Sequence, residues 1–219
     1  MTGHGLTGVA DAGAFLARLV RFDPAALVRL RPVPGAGRTA LWGRLPWGVL
    51  VVRTVPGTAP QDATVGAGEL LAELTAGGDA LPARRDAGWR WQLPPAASRA
   101  VEVLPGAEVR RIAEAAAVTL REAVAHGVAG RAVGQRVVRD ALLDHVAIVV
   151  TPDEGVSAAP VEVSQRLVQG LVRMGFLGDG DVRVRSAGRW VGLVGPFGAA
   201  WSRTVADLAL TPSPAPPNG

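Results

Sequence analysis

The apolar and polar positions in the first third of the chain predict a helix followed by an antiparallel β-meander. In "AGAFLARLVRF" (residues 12–22), apolar side chains recur at helical spacing, and an Asp-Pro stop signal follows. Three runs with strand character come next, separated by "PGAG" and by the corner "PWG": "ALVRLRPV", "RTALWGRLP" and "GVLVVRTV". Residues 63–77, "ATVGAGELLAELTAG", then predict a second helix that ends at a Gly-Gly pair.

The pattern of the second half predicts more helix. A short strand, "RAVEVLP", leads into a long helix over residues 106–126. A further helix, "RAVGQRVVRDALLD", precedes "HVAIVVTP", a β-branched run that predicts a fully buried strand. Residues 163–195 then combine an amphipathic helix with two short strands, which is the outline of the end of a winged helix.

We therefore expect an α+β fold: an N-terminal helix plus a three-stranded antiparallel meander, then a C-terminal helical lobe with a buried strand and a winged-helix-like helix and hairpin. A loop rich in Gly, Ala, Pro and charge, residues 77–88, predicts the boundary between the lobes. The predicted units are an N-terminal α/β lobe with a basic sheet face (1–78), a C-terminal α+β lobe (79–210) and a disordered Pro-rich tail (211–219). Both lobes contain a hairpin with Trp and Gly, but the sequence shows no internal repeat.

Composition excludes several chemistries. The chain has no cysteine, tyrosine or lysine, which rules out disulfides, thiolate nucleophiles, Schiff-base lysines and a Walker lysine. We find no catalytic motif, and we expect no cofactor and no metal. The longest apolar run, Val146–Val150, is too short to span a bilayer, and no basic segment followed by an apolar one opens the chain. We therefore expect a soluble cytoplasmic protein without a membrane partner.

The distribution of charge says more than its total. The sequence pI of about 11.2 accompanies a net charge of only +4, because no side chain titrates between histidine and arginine. Residues 14–60, however, carry seven arginines against one acid. This imbalance predicts a basic surface on the N-terminal lobe.

Two regions could contact nucleic acid. Gln and Arg side chains, which are able to read base edges, follow one stripe of the 163–174 helix, and arginines follow on the hairpin: Gln165, Arg166, Gln169, Arg173, Arg183, Arg185 and Arg189. A DNA-reading helix of this kind requires another helix directly before it, and the sequence places a strand there. If this element reads DNA, its Gln and Arg side chains must be exposed on the same side as the hairpin arginines. The second region is the meander, where alternation places Arg29 and Arg31 on one face of their strand and Trp42 and Arg44 on one face of theirs. If these faces coincide, the sheet displays guanidinium groups around an indole, which suits phosphate contact and base stacking.

The segment "ARRDAGWRWQLPP" offers a surface for a protein partner. It concentrates Trp and Arg, the residue types that dominate interface hot spots: Arg84, Arg85, Trp89, Arg90 and Trp91. The alternative is a strap between the lobes, with the indoles packed inward and arginine stacked on them.

Asp140, Asp144 and His145 form the nearest approach to a catalytic cluster. The two carboxylates lie four residues apart on one helical face, and the histidine follows directly, so the group could transfer protons or hold a metal. Asp140 could instead pair with Arg136 one turn earlier. The sequence thus favours a non-catalytic binding or regulatory protein. Nucleic acid is the first candidate partner, a protein bound by the Trp-Arg segment is the second, and a hydrolase or metal enzyme is the third.

Overall fold

The computed structural model describes residues 3–126, 135–151 and 159–204. Its helices are α1 (Val9–Phe22), α2 (Ala67–Thr75), α3 (Gly106–His126), α4 (Gln135–Asp144) and α5 (Gln165–Arg173), with a 3₁₀ turn at Asp86–Gly88. Its strands are β1 (Leu27–Val33), β2 (Arg38–Arg44), β3 (Leu50–Pro56), β4 (Ala63–Gly66), β5 (Arg99–Leu104), β6 (Val146–Val150), β7 (Val161–Ser164), β8 (Val182–Ala187), β9 (Trp190–Gly195) and β10 (Gly198–Arg203).

One eight-stranded antiparallel sheet organises the molecule. Its strand order is β4-β1-β2-β3-β10-β9-β8-β5, while β6 and β7 pair separately. The three runs predicted as a meander are β1, β2 and β3, with Arg29 opposite Trp42 and Trp42 opposite Val52. The predicted α+β class is confirmed.

The strand order is the same read outward from either side of the central β3–β10 pair. Each half contributes three consecutive strands and then one outer strand, β4 in the first half and β5 in the second. A helix precedes each three-strand run (α1 and α5), and a helix follows each outer strand (α2 and α3). The two sides of the sheet therefore resemble one another in arrangement, although β4 follows its three-strand run in the chain and β5 precedes its own.

The main core lies between this sheet and the helices. The apolar stripe of α1 buries Phe15, Leu16 and Leu19, because these positions recur at helical spacing on the face toward the sheet. The Phe15 ring stacks on Phe176, which follows α5, with ring centroids 6.3 Å apart and an interplanar angle of 3°. The cluster of buried residues includes members of both halves. The two predicted lobes thus share one sheet and one core.

The other face of the sheet carries a smaller apolar cluster and a covering segment. The cluster contains Leu50, Trp190 and Trp201, and Trp89 and Trp91 pack against it from outside the sheet. We call residues 89–98 the strap. The preceding Gly88 lies beside Leu27 of β1, and at the far end the Arg185 guanidinium of β8 donates to the Ser98 hydroxyl and carbonyl. The strap therefore crosses most of the width of the sheet.

Several predicted elements need correction. The winged-helix outline fails because β7 directly precedes α5 and because β8 and β9 lie inside the large sheet between β10 and β5. The strand β6 is not fully buried: only Val150 has a buried side chain, and Val149 is 57% exposed. The second helix begins at Ala67, because the β-branched residues before it form β4. The predicted tail (211–219) and the start of the 131–144 helix lie outside the described residues. No helix in the described ranges has the length and apolar character to cross a bilayer.

Candidate functional site

A groove on the helical side of the sheet is lined by residues that the sequence pattern assigned to separate candidate sites. We call it the helix-side groove; its volume is about 730 Å³. The end of α1, the β2–β3 turn, α4 and α5 form its walls. The lining residues are Phe22, Pro46, Trp47, Arg136, Arg139, Asp140, Leu143, Asp144, Arg166, Gln169 and Arg173.

Four guanidinium groups face two carboxylates in this groove, and both carboxylates already have partners. Asp144 accepts from the Arg166 side chain, with Oδ1 2.6 Å from Nε and 2.5 Å from Nη2. Asp140 lies 3.2 Å from the Arg139 guanidinium and 4.0 Å from that of Arg136. The groove therefore has a surplus of two positive charges on its lining side chains.

Arg173 is the member of this set without an acidic partner among the described residues. Its Nε donates to the Gln169 side-chain oxygen at 2.9 Å, and its guanidinium carbon lies 5.7 Å from the centroid of the Trp47 ring. An exposed guanidinium held against an indole is positioned for an outside anion, because less side-chain freedom is lost on binding.

Reciprocal bonds hold the β2–β3 turn against α5. The Arg166 Nη1 donates to the Trp47 carbonyl at 2.7 Å, and the Trp47 indole donates to the Arg166 carbonyl at 3.2 Å. Phe22 meets the Trp47 ring edge-on at 5.4 Å. The corner "PWG" makes this geometry possible, since Gly48 takes the left-handed conformation (φ 88°) that the turn requires. One wall of the groove is therefore preorganised.

The helix α5, which the sequence suggested as a DNA-reading helix, does not have the placement that this role requires. Gln165 is only 3% exposed, and its amide nitrogen is buried without a partner in the described residues, so this side chain cannot reach a base edge. Arg166, Gln169 and Arg173 line the helix-side groove. Because Val182 and Val184 pack into the core beneath α5, the alternating Arg183 and Arg185 point to the opposite face of the sheet. The condition for a DNA-reading element, that the helix and hairpin side chains be exposed on the same side, is therefore not met.

The predicted Arg/Trp face of the meander exists, but it is largely engaged. The pairs Arg29–Trp42 and Arg44–Leu50 place the meander residues on the strap side of the sheet. Arg29 donates to both oxygens of Asp62 at 2.7 and 2.8 Å, and this pairing raises the pKa of Arg29. Trp42 packs against the smaller apolar cluster, and the exposed Arg189 lies in the turn between β8 and β9. Whether this face binds nucleic acid stays a prediction.

The Trp-Arg segment is anchored at several points. Arg84 pairs with Asp86 at 2.7 Å, and Arg85 pairs with Glu69 of α2. Asp86 also accepts the Thr64 backbone N–H at 2.7 Å, and this bond, with that from Arg84, lowers the pKa of Asp86. The indoles of the strap pack inward and meet edge to face at 5.3 Å: Trp89 and Trp91. Between them, Arg90 is exposed.

The acidic cluster does not form a convergent site in the described structure. Both aspartates are ion-paired, as stated above, and His145 is exposed beyond the end of α4, outside the groove lining. Among the described residues, no group of three or more His, Asp or Glu side chains could hold a metal. Sequence reasoning missed the cationic partners Arg136 and Arg139 as site residues. Their spacing from Asp140, one helical turn or less, was the available signal.

Family models match both halves of the chain. One described as a domain of unknown function (DUF8185) matches residues 93–207, and another described as a domain of unknown function (DUF8010) matches residues 5–93. No curated protein matches the sequence.

Several solved structures have a similar fold, among them a beta clamp and beta subunits of DNA polymerase III from bacteria. They include the Helicobacter pylori beta clamp in complex with carprofen (TM-score 0.57, 11% identity), with 91% of this chain and 63% of that chain covered. The DNA polymerase III subunit beta from Pseudomonas aeruginosa matches with a TM-score of 0.54 and 14% identity. That alignment covers 90% of this chain and 63% of the Pseudomonas chain. The beta chain of DNA polymerase III from Streptococcus pneumoniae matches with a TM-score of 0.52 and 8% identity. That alignment covers 88% of this chain and 63% of the Streptococcus chain. This chain therefore spans less than two thirds of the length of those proteins, and at such identities the likeness concerns the fold.

Proposed function

The chain belongs to the DUF8185 family, and we propose that it is a non-catalytic binding protein that holds the sugar-phosphate backbone of nucleic acid in the helix-side groove. The observation that carries this proposal is the cationic surplus of the groove. Its two carboxylates are paired, while Arg173 is free of any acid in the described structure and Arg139 and Arg136 share one carboxylate.

Guanidinium groups suit this ligand. A planar guanidinium donates two parallel hydrogen bonds to phosphate oxygens and stays charged at all accessible pH values. The arginines of the groove come from two helices, α4 and α5, so they could contact successive phosphates along one strand rather than a single anion. Gln169 lies between the two arginines of α5, and its amide group bonds to Arg173 and to the Ala113 carbonyl.

The solved structures of similar fold support DNA as the first nucleic acid to test. Two structures from Pseudomonas aeruginosa are named as the beta subunit of DNA polymerase III, and one of these names also describes a sliding clamp. The position of His145 argues against acid–base catalysis by this cluster, because the histidine lies outside the groove and does not converge with Asp140 and Asp144.

The experiment is a binding titration of a labelled duplex of about 20 base pairs across a salt series from about 50 to 200 mM. The groove variant Arg139→Ala/Arg173→Ala is compared with a charge-matched variant on the opposite face, Arg183→Ala/Arg189→Ala. Each phosphate contact contributes about 0.9 to the slope of log K against log salt, so loss of two contacts lowers the slope by about 1.8 and weakens binding at 0.1 M salt about 60-fold.

The variant on the opposite face should keep the wild-type slope. If Arg183→Ala/Arg189→Ala causes the loss and the groove variant does not, the strap side of the sheet is the contact surface. No binding at the lowest salt would remove nucleic acid as a ligand of either surface.

A further inference from the structure

A second groove lies on the opposite side of the sheet, between the meander and the strap. We call it the sheet-face groove; its volume is about 670 Å³. Two arginines of β1 form one wall, and strap residues form the other: Arg29, Arg31, Trp89, Arg90, Trp91, Gln92, Leu93, Pro94, Pro95 and Ala96. The strap runs across the strands, so a ligand in this groove would lie alongside an extended segment of the chain.

The charge of this groove is unbalanced. Three guanidinium groups line it, and Asp62 is the acid that contacts any of them among the described residues. Asp62 makes two close bonds to Arg29, whereas its nearest oxygen lies 3.9 Å from Arg31, whose side chain is 56% exposed. Arg90 is exposed and has no acidic partner in the described residues. Two guanidinium groups are therefore available to an anionic ligand.

The indoles of the strap are already packed against other side chains, which argues for a ligand that carries carboxylates rather than nucleobases. The Arg44 guanidinium lies over the Trp91 ring at 4.9 Å, and Trp89 meets the same ring at an interplanar angle of 89°. The Trp89 indole N–H is also used, since it donates to the Trp91 carbonyl at 2.8 Å. Binding of single-stranded nucleic acid depends on ring faces that are open for stacking, and these rings are already engaged in packing.

Asp62 shows how this surface binds a carboxylate. Its two oxygens accept from Nε and Nη2 of Arg29, which is the side-on bidentate geometry of a strong arginine–carboxylate pair. Arg31 and Arg90 offer the same donors without such a partner.

We propose that the sheet-face groove is a docking site for an extended acidic segment of a partner protein, whose carboxylates pair with Arg31 and Arg90. The groove lies on the face of the sheet opposite the helix-side groove, so the proposal does not depend on nucleic-acid binding there. The strap provides the apolar wall that such a segment packs against, and the two arginines select for negative charge.

The test is fluorescence anisotropy with a labelled peptide of about ten residues that alternates Glu with Leu, and the same peptide with Lys in place of Glu. We expect saturable binding of the Glu peptide alone. Reversal of both charges, Arg31→Glu/Arg90→Glu, should weaken it at least about 100-fold, about tenfold for each charge-assisted pair that is lost. The matched control Arg183→Glu/Arg189→Glu makes the same change in net charge elsewhere on this face and should leave the dissociation constant within about twofold.

A second variant tests the site by a gain of affinity. Asp62→Asn removes the competing carboxylate and frees Arg29, so it should tighten binding of the Glu peptide several-fold. Equal losses in the two charge-reversal variants would overturn the proposal, since they would show unspecific attraction to a basic protein. Tighter binding of an oligothymidylate that displaces the Glu peptide and is lost in Arg31→Glu/Arg90→Glu would also overturn it, in favour of single-stranded nucleic acid. The groove variant Arg139→Ala/Arg173→Ala should bind the Glu peptide normally, which separates this test from that of the helix-side groove.

Discussion

Replacement of Phe176 by alanine tests whether the two halves of the chain unfold as one unit. Phe176 is 0% exposed, and its ring stacks on Phe15 of the other half. Loss of a fully buried phenylalanine costs about 3–5 kcal/mol, because apolar transfer free energy is lost and a cavity remains. Since a domain of this kind is stable by about 5–15 kcal/mol, the variant should remain folded at low denaturant concentration.

The stacked pair also has a measurable coupling. In a double-mutant cycle with Phe15→Ala, the interaction between the two rings should appear as about 0.5–1.5 kcal/mol, because stacked aromatic pairs contribute about this much beyond burial. The matched control is Phe197→Ala, which removes a ring that is 48% exposed and should cost about 1 kcal/mol.

The assay is urea unfolding followed by tryptophan fluorescence and by far-ultraviolet circular dichroism. We expect one transition in both signals for the wild type and for Phe176→Ala, with the midpoint shifted and the slope unchanged. Two separated transitions, or a coupling free energy of zero between the rings, would refute a shared core.

Three further substitutions test local features by the urea midpoint. Thr39→Val should cost about 1–3 kcal/mol of unfolding free energy, because two backbone groups lose their partner. The buried Thr39 hydroxyl donates to one backbone carbonyl at 2.8 Å and accepts from one backbone N–H at 2.8 Å. The control Thr39→Ser keeps the hydroxyl and should retain most of this stability. Gly57→Ala should cost at least about 1–3 kcal/mol, because φ is 97° and an added Cβ would lie 2.4 Å from two backbone atoms of the N-terminal segment. The control Gly35→Ala should cost less, because a Cβ at that position meets no atom within 4 Å. Asp86→Asn should destabilise the protein near pH 7 and have a smaller effect near pH 2. The folded-state pKa of Asp86 lies below its ordinary value of 3.8, so its contribution is present above that value and is lost as the pH falls through the folded-state pKa. An equal effect of Asp86→Asn at both pH values would contradict this linkage.

The sequence predicted the elements with strong periodicity and missed those without it. The helix α1 and the strands β1 to β3 were predicted because apolar residues recur at periods of 3.6 and 2 between clear turn signals. The strand β10 was missed, since its sequence "GAAWSR" alternates weakly and follows a tight turn. Because β10 pairs with β3, missing it hid the union of the two halves in one sheet.

The candidate sites were predictable as residue types and not as groupings. Arg166 and Arg173 were identified from a polar helical stripe, and they do line a basic groove. Their neighbours in that groove, Trp47 and Arg139, come from distant segments, and only the packing of α5 against the β2–β3 turn and α4 brings them together. The burial of Gln165 was unpredictable for the same reason, since the face of α5 that meets the sheet depends on tertiary contacts.

The most direct test of the proposed function is a titration of the six tryptophan indole N–H signals in nuclear magnetic resonance spectra of the ¹⁵N-labelled protein with duplex DNA. The Trp47 indole donates to the Arg166 carbonyl inside the helix-side groove, whereas Trp89 and Trp91 lie on the opposite side of the sheet. At low salt we predict that DNA shifts the Trp47 signal, identified with Trp47→Phe, and leaves those of the strap in place. Shifts of the Trp89 and Trp91 signals with Trp47 unchanged, or no shift at all, would contradict the assignment of nucleic-acid binding to the helix-side groove.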